Sequence, residues 1–75
     1  MIPDWIAVDG SSRIVAEAYD DETGTIFVRF PDGVEWWYGG CPPDVWEEFR
    51  AHGQSRGNYI KHVLDMKPNG RWSGA

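Results

Sequence analysis

The chain has 75 residues and a mass of 8.5 kDa, enough for one hydrophobic core and no second, which excludes a large multi-substrate enzyme. With 41% hydrophobic residues, 5 Trp, 3 Tyr and 3 Phe, it carries too much core-forming material for a disordered segment. A formal charge of -5 opposes the wrapping of long nucleic acid, because such binding needs cations to displace condensed counterions.

In chain order, Trp5-Ile6-Ala7-Val8 is a candidate edge strand or a segment that packs across a sheet. Arg13 to Tyr19 is mostly apolar, has no helix cap and runs into the turn residues Asp20 to Gly24, which predicts a first strand. Thr25 to Phe30 predicts a second, with Ile26, Val28 and Phe30 on one face and Thr25, Phe27 and Arg29 on the other; this is the two-residue period of a pleated strand. Pro31-Asp32-Gly33 turns the chain into a third strand, Val34 to Tyr38.

A two-residue loop would set Glu35 opposite Phe30 and point a carboxylate at the apolar side. A three-residue loop, with Gly33 left-handed beside a bulge, sets Phe30 against Val34, Val28 against Trp36 and Ile26 against Tyr38. One face then becomes wholly apolar, and the other pairs Arg29 with Glu35 and Phe27 with Trp37. The second register is the expected one.

Gly39 to Pro43 end the sheet. Asp44 to Arg50 predicts a short helix, carboxylates early and Arg50 late, with Val45, Trp46 and Phe49 as its apolar stripe. Gly53 stops it. A second helix starts near Ser55 or Asn58, carries Tyr59, Ile60, Val63 and Leu64 at helical spacing, and ends before Pro68. Residues 69–75 show no pattern and are expected to form a flexible tail unless Trp72 docks. The expected fold is α+β, one domain over residues 1–68. Its three-stranded antiparallel meander, with residues 5–8 as a candidate fourth strand, is followed by two helices packed on one sheet face.

The chemistry-bearing residues are sparse. One cysteine gives no disulfide framework and no Cys-x-x-Cys motif, which suits a reducing cytoplasm. Cys41 with His52 or His62 would be a thiolate–imidazole pair only if the fold joined them, and one Cys with two His ten positions apart lacks metal-ligand spacing. Asp20-Asp21 and Glu47-Glu48 lie at turn and helix-surface positions, where solvation is the ordinary state. No phosphate-binding glycine loop is present. The expectation is no enzymatic activity, no metal and no cofactor. No apolar run reaches the length of a membrane helix and the N-terminus has no export signal, so a cytoplasmic protein without membrane association is expected.

Two surfaces are candidates for binding. Phe27, Arg29 and Trp37 share the face turned away from the helices; left open, it would stack unpaired bases or meet a protein, including a second copy of the chain. Folding back of Trp5 and Ile6 would instead bury it. Ser55, Arg56, Gly57, Asn58 and Lys61 at the start of the last helix form an anion or RNA candidate, or else a capping turn. Charge favours that end of the chain: residues 1–50 hold eleven carboxylates against three arginines, a net -8, whereas residues 51–75, with Arg71 among them, are at +3.

A set of ordered features resembles one known family. These are Asp9-Gly10-Ser11-Ser12 before Ile14, Tyr19-Asp20 at the first turn, Phe27-Val28-Arg29-Phe30 with Gly33, Trp36 and Tyr38 spaced by one, Pro42, and Ser55-Arg56-Gly57-Asn58-Tyr59. The set, over about residues 8 to 65, resembles the KTSC domain, found at the C-terminus of some lysyl-tRNA synthetases and as small stand-alone proteins of bacteria and their phages. Trp36 stands where the family has a first central Tyr, and Ile60 and Lys61 stand where it often has Phe and Asn. The resemblance implies a small cytosolic accessory domain, with RNA binding suggested by the synthetase setting and no catalytic residue supplied. Trp36, Tyr38 and Tyr59 carry the family motif, and the register turns Trp36 and Tyr38 toward the helices, as structural residues. Together these features predict a non-enzymatic interaction module for an unidentified protein, a phage-encoded effector among the options. The alternative is an RNA-binding accessory domain.

Overall fold

A computed structural model describes residues 3–74. Five strands form one antiparallel sheet in sequence order: β1 (Ile6–Ala7), β2 (Ala16–Asp20), β3 (Thr25–Arg29), β4 (Glu35–Tyr38) and β5 (Asn69–Arg71). Two helices, α1 (Pro43–Arg50) and α2 (Arg56–His62), and a single 3-10 turn at Leu64–Met66 lie between β4 and β5. The α+β class is as expected, but the sheet has five strands rather than three or four.

The β3–β4 hairpin takes the three-residue-loop register. Ile26 pairs with Tyr38, Phe27 with Trp37, Val28 with Trp36 and Arg29 with Glu35. Gly33 has φ +91° and donates to the Phe30 carbonyl at 2.9 Å, while the Phe30 amide donates to Val34. Asp32 Oδ1 accepts from the Val34 amide and fixes the turn.

The first predicted strand starts late. Ser11 Oγ accepts from the amides of Arg13 and Ile14, a local side-chain turn that competes with the ladder, so β2 begins at Ala16. The expected flexible tail is also partly ordered. Asn69–Arg71 pair with Tyr38–Trp36, and the Gly39 and Trp72 amides bond to Pro68 and Glu35 on either side.

In α1 Pro43 occupies the first turn, where its missing N–H costs nothing. Ser55 caps α2 by accepting from the Asn58 amide at 3.2 Å. The core lies between these helices and one sheet face and consists of Ile14, Ile26, Val28, Tyr38, Cys41, Phe49, Tyr59, Ile60 and Leu64. Among the described residues no helix is long and apolar enough to cross a membrane.

Candidate functional site

The face turned away from the helices is not open. Phe27 is 5% exposed, held edge-on by Trp5 and Trp72 with ring centroids 6.5 and 5.3 Å away, and the two tryptophans meet each other at 6.2 Å. The Arg29 guanidinium lies 4.4 Å from the centre of the Trp5 ring and its Nε donates to Glu35 Oε2 at 2.8 Å. Trp37 packs on Gly70, where an added Cβ would stand 3.1 Å from its Nε1. The three residues expected on an open platform are thus engaged within the chain. Of the two alternatives for the N-terminal segment, Ile6 takes the edge strand: it pairs with Glu17 and stays exposed, while Trp5 folds onto Phe27. Burial of this face needed Trp72, which reaches it only because β5 forms.

The second expected site is divided. Ser55, Arg56 and Gly57 do come together, across a cleft of about 210 Å³, with Asp9 to Arg13. Gly57 allows that approach, since a Cβ there would meet the Arg13 side chain at 3.3 Å. Arg56, however, turns inward. Its Nε and Nη2 donate to the two oxygens of Glu17 at 2.9 and 3.0 Å, and Arg50 Nε donates to Glu17 Oε2 at 2.9 Å. Glu17, opposite Val28 and 1% exposed, is the one buried charged residue among the described residues, and the hydrogen bonds from two helices compensate its desolvation. This pairing raises the Arg56 pKa further. Asn58 and Lys61 are exposed on α2, while Arg71 lies on β5 opposite Trp36.

Cys41 is fully buried, its thiol 3.5 and 3.3 Å from the carbonyls of Tyr38 and Gly39, and burial pushes its pKa up. His52 and His62 are exposed, so no thiolate–imidazole pair is present. Among the described residues no group of His, Cys, Asp and Glu is placed to hold a metal ion. Tyr59 is 4% exposed, and burial, then the Glu48 carboxylate, raise its pKa.

The surface with unengaged chemistry lies elsewhere. Phe30 and Trp36 pack on the core with one side and remain half-exposed on the other. Together with the buried Tyr38 they line a trench of about 250 Å³, shared with Arg13, Asp65 and Asn69. The Arg13 guanidinium stacks 5.2 Å from the Phe30 ring centre. Trp36 Nε1 donates to Asn69 Oδ1 at 3.0 Å, which fixes the indole against β5. Burial, then Asp65, push the Tyr38 pKa up to about 12, with Arg13 opposing. A second hollow, floored by Phe30 and Pro31, continues past Arg13 to Asp32 and Ser12, and Arg13 also borders the cleft of Ser55. Met66, 85% exposed, adjoins Asp65. Among the described residues neither Arg13 nor Arg71 has a carboxylate partner.

Sequence reasoning assigned Phe30 and Trp36 to the apolar face and left no signal for Arg13, Asp65 or Asn69. The observed helices are too short to close that face. At about 1.5 Å per residue, α1 and α2 span only ~12 and ~10 Å, too little to cover a face of five strands spaced ~4.8 Å apart.

The KTSC domain model matches residues 10–67. A crystal structure of a KTSC domain protein from Yersinia pestis superposes with a TM-score of 0.80 at 22% identity, covering 93% of this chain and 97% of that one. No curated protein matches the sequence. The chain belongs to the KTSC domain family. The matched residues contain the trench residues except Asn69 and exclude β1, β5 and the Trp5–Trp72 clasp.

Proposed function

We propose that this KTSC domain is a non-enzymatic interaction module of the cytoplasm that binds a protein partner through the trench of Arg13, Phe30 and Trp36. One observation carries the reading: among the described residues, half-buried aromatics and an arginine without a carboxylate partner share a concave surface that no described element covers. Trp, Tyr and Arg in a partly desolvated hollow are the residue types that dominate protein-binding energy. Exposed Met66, next in sequence to the trench residue Asp65, adds an adaptable apolar contact. The setting that family membership suggests is an accessory or phage-encoded effector role.

RNA is the second reading, on the strength of Arg13, Lys61 and Arg71. Against it, Arg29, Arg50 and Arg56 are held by carboxylates, Asp32 and Asp65 border the hollows, and the net charge is -5.

The test is comparative capture from nuclease-treated lysate of the source cells by wild type, Arg13→Glu and Trp37→Ala, at low and high salt. The reading expects one protein retained by wild type and Trp37→Ala at both salts and lost with Arg13→Glu. Equal capture by Arg13→Glu would refute it. Salt-sensitive capture of RNA from a parallel lysate left untreated with nuclease, with no protein retained after treatment, would favour RNA.

A further inference from the structure

We propose that the free edge of β5 pairs antiparallel with the same edge of a second copy of this chain, joining two five-stranded sheets about a two-fold axis at Gly70. β5 is the last strand of the sheet. The carbonyl of Pro68 and the amide of Trp72 point inward to β4, so by the alternation of an antiparallel ladder the N–H and C=O groups of Asn69 and Arg71 point outward. Such a row of unpaired groups is a template for another strand.

The edge complements itself. With Gly70 opposite Gly70 of the other copy, Asn69 stands opposite Arg71 in both halves, and each such pair exchanges two hydrogen bonds. No like charges are opposed. The side chains of Asn69 and Arg71 lie on the trench face, since they pair with Tyr38 and Trp36. The second copy therefore brings its Arg71 against Asn69, whose amide nitrogen lies 3.5 Å from the Asp65 carbonyl. A cation without a carboxylate partner among the described residues thus meets the Asp65 side of the trench. The two-fold axis would set two trenches side by side, each completed by an arginine of the other chain.

A three-residue edge makes fewer contacts than a standard interface of ~800 Å² per partner, so the dissociation constant should be on the order of 100 µM. The test is sedimentation equilibrium of the full chain from about 5 µM to about 1 mM, with wild type, Arg71→Pro, which removes an outward N–H, and Arg71→Glu, which reverses the charge at that position. Wild type should move from 8.5 kDa toward twice that mass. Arg71→Pro should remain monomeric with an unchanged tryptophan emission spectrum, and Arg71→Glu should raise the midpoint concentration at least tenfold at low salt. If Arg71→Pro fails to fold, Arg71→Glu decides. Wild type monomeric throughout would overturn the proposal, and so would Arg71→Glu dimerising as wild type does.

Discussion

Arg56 lies bidentate on Glu17, Nε 2.9 Å from Oε1 and Nη2 3.0 Å from Oε2, while Arg50 approaches Oε2 from the other helix. A single carboxylate of β2 therefore fastens both helices to the sheet. Glu17→Ala should cost about 2–3 kcal/mol, below the ~3–5 of a fully buried pair because half-exposed Arg50 can reach water. Arg56→Ala should cost more than Arg50→Ala, since Arg56 makes two of the three bonds and is less exposed. Urea unfolding of the three variants checks the order.

The clasp over Phe27 should matter to stability. Trp72→Ala removes a half-buried ring from Phe27 and Trp5 and should cost about 2 kcal/mol, less than full burial of Trp would give. Gly70→Ala should be destabilising by about 1–2 kcal/mol, because the new Cβ would press on the Trp37 indole at 3.1–3.3 Å. Thermal unfolding of both variants, with total tryptophan emission followed in the second, is the measurement.

Buried phenols predict an alkaline limit. The unfolded chain loses the Tyr38 proton near 10.0, whereas the folded chain keeps it to about 12. Between these values the folded state binds more protons, so stability is full below pH 10 and declines as pH rises through 12, by on the order of 2 kcal/mol. Tyr59 is shifted in the same direction. Urea midpoints at neutral pH and at a pH of about 11 should differ accordingly.

Cys41 should be inert while the chain is folded. Its thiol is buried and its pKa raised, so an aromatic disulfide reagent at a pH of about 8 should react only at the rate of unfolding. A rapid stoichiometric reaction in native buffer would contradict the packing of Cys41.

The alternation in Ile26–Phe30 and the Pro31-Asp32-Gly33 loop were enough to place the β3–β4 hairpin, because a one-residue slip would turn Glu35 to the apolar side. β5 was not legible. Asn69-Gly70-Arg71 has no strand pattern of its own and is a strand only through pairing with β4. Glu17 sits in an apolar run, and its burial depends on arginines 33 and 39 positions away. The same distance in sequence hid the trench. Arg13, Phe30, Trp36 and Asp65 come from four parts of the chain, and no local spacing joins them.

The most direct measurement of the trench as the docking surface is site-specific photocrosslinking in source-cell lysate. A photoreactive residue at the exposed Asp32 position, beside Phe30 and Arg13, is compared with one at exposed Glu22 in the β2–β3 turn. The account predicts a protein adduct from position 32 that survives nuclease, is absent from position 22, and is lost on adding Arg13→Glu. Equal protein adducts from both positions, or nucleic acid alone at position 32, would contradict it.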